Sequence, residues 1–351
     1  MEKTKAVRLS LLVLAVAGAC AAVPALKPRP EPALDRAMRA QTIDALVAKL
    51  NDHYVFPDKA RQMTAVLRRF EREGKYDGVT NAYRLARQLT ADMQGVARDQ
   101  HMKVGYHTKM VLPDDEAAPV SRAQWEQRTG LLTRLMQRYA AAREVKQVRR
   151  LGDGLAYLKI TSFPDAYLML EKYASTMDEL ADTGGLILDL RENRGGDPQA
   201  VALLISYFVD RPTRLNDIWE RDTGNTVQYW TEDRLDGKRY GGKKPVVILV
   251  GPGTASAGED FAYTMQALKR ATVVGKPTWG GAHPTQTYRL GGHFYAAIPN
   301  QRSISPITGT NWEGVGVTPD VAATPDSALA VAKELIRRRM RDGAPLVAAA
   351  H

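Results

Sequence analysis

Two short stretches, Gly185–Leu190 and Val246–Val250, are apolar almost without interruption, broken only by Asp189. A strand with one face in water alternates apolar and polar residues, whereas a continuous apolar run needs cover on both faces. Any fold for this chain must therefore sandwich these strands between other elements. The segments around them supply the layers. Gly154–Ile160 reads as a strand, Pro198–Val209 as a helix and Thr226–Thr231 as an alternating strand. Asp260–Leu268 is again helical, Ala271–Val274, Gln286–Arg289 and His293–Ile298 are strands, and Ser327–Arg341 is a closing helix. Strands alternating with helices predict an α/β core built on a mainly parallel sheet.

Each apolar run ends in a glycine-bearing turn. The first is Asn193-Arg194-Gly195-Gly196, and the second is Gly251-Pro-Gly-Thr-Ala-Ser256-Ala-Gly-Glu259. In a parallel core, ligands bind in the crevice outside the carboxyl ends of the strands. The two turns should lie side by side there, with backbone N–H groups pointing into one cleft. Ser256 stands where a buried strand turns into a helix. That position suits the hydroxyl of a nucleophile elbow, and equally an N-cap that forms a capping box with Glu259.

The rest of the chain sorts into segments. Lys3, Lys5 and Arg8 precede the apolar stretch Leu9–Ala19 and the small residues around Cys20, the pattern of a secretory signal over residues 1–21. Export to the periplasm or outer envelope follows as an expectation. Cys20 is the only cysteine, which excludes an intramolecular disulfide. The run Ala17-Gly18-Ala19-Cys20 resembles a lipoprotein signal, in which a lipidated Cys20 would tether the protein to a membrane; plain cleavage after a small-x-small site is the alternative. Residues 22–35 form a proline-rich linker. Residues 36–100 hold three segments with helical periodicity, Ile43–Leu50, Ala60–Phe70 and Asn81–Met93, and predict a small helical N-terminal domain. The core then spans 101–341 with a helical insertion near 122–148, and 342–351 is a tail. The net charge of +10 lies largely on cations spaced along helical stretches, which reads as solvated helix faces and excludes a nucleic-acid partner.

A serine hydroxyl is too weak a nucleophile without a base. Of the six histidines, His351 is terminal, His53 lies in a helical stretch, and His107 and His293 sit in polar contexts, which leaves His101 and His283. Acyl transfer also needs donors for an oxyanion, a role open to the N–H of Ala257 and that of Gly195 or Gly196. A carboxylate to orient the base could be Glu313, in a turn between Trp312 and Gly314. No histidine–carboxylate spacing resembles a metal site, and neither metal nor organic cofactor is expected.

Four motifs occur in order: Asp189-Leu-Arg-x-Asn-x-Gly-Gly196, Thr254-Ala-Ser-Ala-Gly-Glu259, Val273-Val-Gly-x-x-Thr-x-Gly-Gly281 and Glu313-Gly-x-Gly-Val-x-Pro-Asp320. Together they resemble the C-terminal processing protease and tricorn protease family, serine peptidases with a ClpP/crotonase-like core, and most of all the branch shared with interphotoreceptor retinoid-binding protein. The resemblance covers Gly185–Val321 and, more loosely, Arg36–Val104. It implies Ser256 as nucleophile, with Ala257 and Gly195 or Gly196 as oxyanion donors. The lysine base of the processing proteases falls on Gly281, so a Ser–Lys dyad is not implied. The tricorn branch uses a histidine from before the core and a glutamate in the last motif, which fall on His101 and Glu313; its serine before the histidine is Gln100 here. His283, two residues past Gly281, is the alternative base. No PDZ domain fits between residues 107 and 150. The implied function is an exported serine peptidase that cleaves peptides or unfolded proteins through an acyl-enzyme, with the substrate added as a strand. The alternative is a non-catalytic module that holds a retinoid- or lipid-like ligand, or a peptide, on the same core, with Trp279, Trp312, Phe294 and Tyr295 around an apolar pocket.

Overall fold

A computed structural model describes residues 34–107 and 131–342. The signal, Cys20, the linker up to residue 33, the first part of the expected insertion and the tail from 343 lie outside them. Among the described residues no helix is long and apolar enough to cross a membrane.

Three helices open the chain: α1 (Arg36–His53), α2 (Pro57–Arg72) and α3 (Ala82–Ala97). Their starts follow from local chemistry. The side chain of Asp35 caps α1 by accepting from the Met38 N–H at 2.7 Å, Pro57 stands at the first position of α2, and the side chain of Asn81 accepts from the Arg84 N–H at 3.0 Å. Helix α3 stops at Arg98, which takes left-handed angles (φ 58°). That stop turns the chain sharply and delivers Asp99-Gln100-His101 to β1 (Lys103–Tyr106).

After helix Leu131–Ala142, chain order gives β2 (Val145–Arg150), β3 (Leu155–Ile160), helix Ala166–Leu180, β4 (Gly185–Asp189) and helix Pro198–Ile205. The hairpin β5 (Arg214–Glu220) and β6 (Thr226–Trp230) follows, then β7 (Val246–Val250), helix Ala257–Ala267 and β8 (Thr272–Gly275). Last come β9 (Thr285–Gly291), β10 (Phe294–Pro299), β11 (Gln301–Ile304), β12 (Val321–Ala322) and helix Ala328–Asp342. Six strands form the central sheet in the order β12-β8-β7-β4-β3-β2, parallel except where β2 meets β3.

Both faces of that sheet are covered, as the unbroken apolar runs require. Leu186, Leu188, Val246 and Ile248 face the helices that follow β3, β4 and β7, while Ile187, Val247 and Leu249 face Ala328, Ala332 and Ile336 of the last helix. Because β4 and β7 are adjacent and parallel, their following turns emerge together.

One expectation changes. The helical pattern extended to Val148 stops at Ala142, and Val145–Arg150 is an edge strand antiparallel to β3. Ala141, Val145 and Val148 satisfy helical spacing, but Val145 is buried by pairing with Ile160, so tertiary pairing overrides the local period. The three expected N-terminal helices are present, and strands complete their core. Leu46, Leu50, Leu89 and Met93 share one core with Val104 of β1 and with Leu290, Phe294 and Ile298 from the β9–β10 hairpin. The hairpin pairs with β1 through β10 and has no ladder to the central sheet.

Candidate active site

The turn after β7 holds Ser256 at φ 54° and ψ −122°, a backbone region costly for any residue with a Cβ. Several bonds hold the strain. The Ala255 N–H donates to the Asn193 carbonyl at 2.9 Å, the Thr254 hydroxyl to the Leu190 carbonyl at 2.8 Å, and the Ser256 N–H to Glu259 Oε2 at 2.8 Å. The elbow is thus tied to the end of β4 as well as to its own helix. Ser256 remains half-buried, with its side chain at the helix N-terminus.

The Asn193–Gly196 turn passes directly over this elbow. A Cβ on Gly195 would stand 2.7 Å from Ser256 Cβ and 3.1 Å from the Ala257 nitrogen, so only glycine allows the approach. Gly196 has φ 140°, and a Cβ there would strike the Phe163 carbonyl oxygen at 1.9 Å. The Gly195 N–H is committed to Asn193 Oδ1 at 2.9 Å. The N–H groups of Gly196 and Ala257 have no acceptor among the described residues.

Glu259 anchors the next piece. It is fully buried and takes four donors: Ser256 N–H and Gly281 N–H on Oε2, Thr278 Oγ1 and Gly280 N–H on Oε1. Burial pushes its carboxyl above the usual range against the pull of these four bonds. One oxygen therefore holds both the nucleophile candidate and Gly281. The imidazole of His101 abuts Gly281 in turn, since a Cβ there would lie 2.5 Å from His101 Cε1. The ring stands edge-on to Trp279 at 4.8 Å, and Gln100 donates to the Trp279 carbonyl at 2.9 Å, clipping the His101 segment to this loop. Burial lowers the His101 pKa and Asp99 opposes the shift.

Glu313 accepts from the Ala282 N–H at 2.6 Å, and its Oε2 lies 3.4 Å from His283 Nδ1. Burial, reinforced by the charge of Asp99, raises its pKa to about 7. Its other oxygen and His101 Nδ1 are both buried with no hydrogen-bond partner among the described residues. Asp99, His101 and Glu313 each offer one nitrogen or oxygen within 4.8 Å of the other two, close enough to share a cation. Asp99 already uses both its oxygens, on His283 and Tyr54 and on the His101 N–H, and we read the set as a proton-sharing cluster.

All of Ser256, Ala257, Gly195, Gly196, His101, His283 and Glu313 thus converge on one region, although no hydrogen bond joins Ser256 Oγ to either histidine. His53 and His293 sit apart: His53 bonds Asp222 and stacks on Tyr288, and His293 lies edge-on to Tyr106. The four aromatics of the alternative reading line no common cavity among the described residues. Phe294 belongs to the N-terminal core, Tyr295 packs over Gly105, and Trp312 is buried with its indole N–H on the Gly281 carbonyl. Trp279 alone of the four faces the groove of about 480 Å³ that also exposes Gln100 and His101. Sequence reading missed Asp99 and the anchoring role of Glu259, because nothing within a few residues of either signals a partner on a distant segment.

Residues 154–323 match the family model described as Peptidase family S41, and residues 33–154 match the one described as N-terminal domain of Peptidase_S41 in eukaryotic IRBP. The chain is 28% identical over 175 residues to carboxyl-terminal-processing peptidase 2, chloroplastic, of Arabidopsis thaliana, a match that covers 47% of this chain and 31% of that protein. The chain therefore spans about a third of the length of this relative. A solved lipoprotein from Streptococcus agalactiae superposes with a TM-score of 0.55 at 15% identity, covering 86% of this chain and 96% of the other. The tricorn protease superposes with a TM-score of 0.53 at 15% identity, over 87% of this chain and 37% of the other. At such identities these two likenesses are of fold.

Proposed function

Because the chain belongs to peptidase family S41, we propose that it hydrolyses peptides or unfolded proteins through an acyl-enzyme formed on Ser256. The observation that carries this reading is the elbow: a serine held at φ 54° under the Gly195–Gly196 turn. Backbone strain of this kind persists only where the surrounding structure enforces it, and it concentrates at reacting groups.

In the proposed reaction Ser256 Oγ attacks the scissile carbonyl while His101 takes its proton, then returns it to the leaving amine. The developing oxyanion is met by the N–H groups of Ala257 and Gly196; Gly195 is excluded because Asn193 already holds its proton. Burial keeps the His101 pKa low, so the ring is neutral and ready to accept at physiological pH. Glu313 orients that ring and stabilises the imidazolium. The unpaired His101 Nδ1 and Glu313 oxygen suit a contact that tightens only when substrate binds, a usual feature of unliganded sites. His101 is favoured over His283 as base because His283 is 3% exposed and its Nδ1 is engaged by two carboxylates. The basic and apolar N-terminus supports export of the protein to where such substrates occur.

Labelling by a fluorophosphonate serine probe tests the proposal. Wild type should label, Ser256→Ala should not, and His101→Ala should slow labelling by about 10²–10⁴-fold, the usual worth of a general base. A folded wild type that fails to label, or a Ser256→Ala variant that labels as fast, overturns it.

A further inference from the structure

The mechanism above leaves two buried ionisable side chains unused. Asp99 is 1% exposed and His283 is 3% exposed, yet both adjoin the proposed base and its carboxylate. We propose that Asp99 and His283 form a buried carboxylate–imidazole pair that sets the proton state of Glu313 and His101, which makes them positioning residues. The inference rests on the Ser256–His101–Glu313 reading above.

The geometry is a chain of shared atoms. Asp99 Oδ2 receives His283 Nδ1 at 3.0 Å and the Tyr54 hydroxyl at 3.3 Å, while its Oδ1 receives the backbone N–H of His101 at 3.2 Å. The same His283 Nδ1 lies 3.4 Å from Glu313 Oε2. A ring nitrogen carries one hydrogen, so two buried carboxylates compete for it. Glu313 Oε2 also takes the Ala282 N–H, and Gly281 is the residue against which the His101 ring packs. Three successive residues, 281 to 283, thus connect the proposed base, its carboxylate and the Asp99 pair in one loop.

The ionisable groups that face this loop are Tyr54 at the end of α1, Asp99 and His101 after α3, Glu259 of the helix after β7, and Glu313. In a water-poor space, charges this close act on one another strongly. The negative charge of Asp99 disfavours ionisation of Glu313 and favours a proton on His101; a cationic His283 does the reverse at both groups. Both directions agree with the influences on Glu313 and on His101. The outcome therefore has the same sign whichever of the two groups limits activity on the acid side.

The test is the fluorophosphonate labelling rate of the full chain from pH 5 to 9, for wild type, Asp99→Asn and His283→Asn. Asparagine removes the charge in each place and keeps an amide there; in Asp99→Asn the NH2 group meets a donor whichever way it turns, and in His283→Asn the edge-on ring contact with Phe56 is lost. Asp99→Asn should move the acid limb of the rate to lower pH and His283→Asn to higher pH, each by about one unit, the size of shift a neighbouring charge causes. Limbs that do not move, or that move in the same direction, overturn the inference, as does a rate lowered equally at all pH values, which a merely structural role would produce. If Asp99→Asn does not fold, the direction of the His283→Asn limb alone decides. Labelling that survives in Ser256→Ala or is unchanged in His101→Ala would instead sink the parent reading. An unmoved limb with both of those dependences intact sinks this inference alone.

Discussion

Gly281→Ala isolates the geometry of the proposed base. The added Cβ would lie 2.5 Å from His101 Cε1 and 2.4 Å from Trp279 Cζ3, whereas carbon atoms rest at about 3.5–4 Å. The imidazole must therefore retreat by about 1 Å. Gly281 is not among the glycines with positive φ, so alanine is compatible with its backbone, and both obstructing groups are side chains that can move. The fold should lose no more than about 1–3 kcal/mol from overpacking, offset by roughly 0.4–1 kcal/mol from the stiffer unfolded chain. Catalysis has less tolerance, because a misplacement of about 1 Å costs on the order of 10²-fold, or about 2.7 kcal/mol of transition-state stabilisation. The assay is kcat/KM on fluorescein-labelled casein, with thermal unfolding as control, for Gly281→Ala, His101→Ala and the double variant. Expected is a loss of about 100-fold in Gly281→Ala with a melting temperature lowered by no more than about 10 °C, and less than about a 3-fold further loss when it is added to His101→Ala, since the base it displaces is then already gone. A Gly281→Ala enzyme with wild-type kcat/KM, or one whose full loss persists without His101, would refute the reasoning. The same clash means that a lysine at position 281 and a histidine at 101 compete for one volume.

Glu259→Gln places an amide against two donors whichever way it turns, Ser256 and Gly281 N–H or Thr278 Oγ1 and Gly280 N–H. The unpaired groups should cost about 2–5 kcal/mol and lower the melting temperature by roughly 5–15 °C, with serine labelling slowed as the elbow relaxes; an unchanged melting temperature would deny Glu259 its anchoring role. Asp260, fully buried against Asn216 and Thr264, has its carboxyl raised by burial to about 6. A folded pKa above the unfolded value means the native state binds the proton more tightly, so the destabilisation is absent below about pH 4 and complete above about pH 6. Asp260→Asn should therefore stabilise the protein at pH 7.5 by up to about 3 kcal/mol and do little at pH 4, as measured by urea unfolding; equal effects at both pH values would contradict the burial argument.

Much of the core was legible because its signals are local. An apolar run with no polar face demands two covering layers, and Leu186, Ile187, Leu188, Val247 and Ile248 obtain them. The strand-to-helix turn that carries Ser256 was legible for the same reason: it lies between a strand and a helix that each announce themselves within a few residues. The reading failed where periodicity suits two structures, as at Val145–Arg150, where pairing with β3 made a strand of an expected helix. It also left undetected the helix Ala166–Leu180, although Ala166, Met169, Tyr173, Met177 and Leu180 recur at helical spacing on its buried face.

The partners of the candidate site belong to another category. Residue types and their order determined that a serine, a histidine and a glutamate were available, and that Gly281 leaves no lysine for a Ser–Lys dyad. Only the tertiary structure distinguishes Gly195 from Gly196 as proposed oxyanion donors, because the Asn193 side chain turns back onto the Gly195 N–H. Only the tertiary structure brought Asp99 to His283 across 184 positions and drew the β9–β10 hairpin into the N-terminal core. Local preferences fade within a turn or two of chain. The ionisation of a buried carboxylate is set by whichever charges packing places within a few ångströms, and packing takes no account of distance along the sequence.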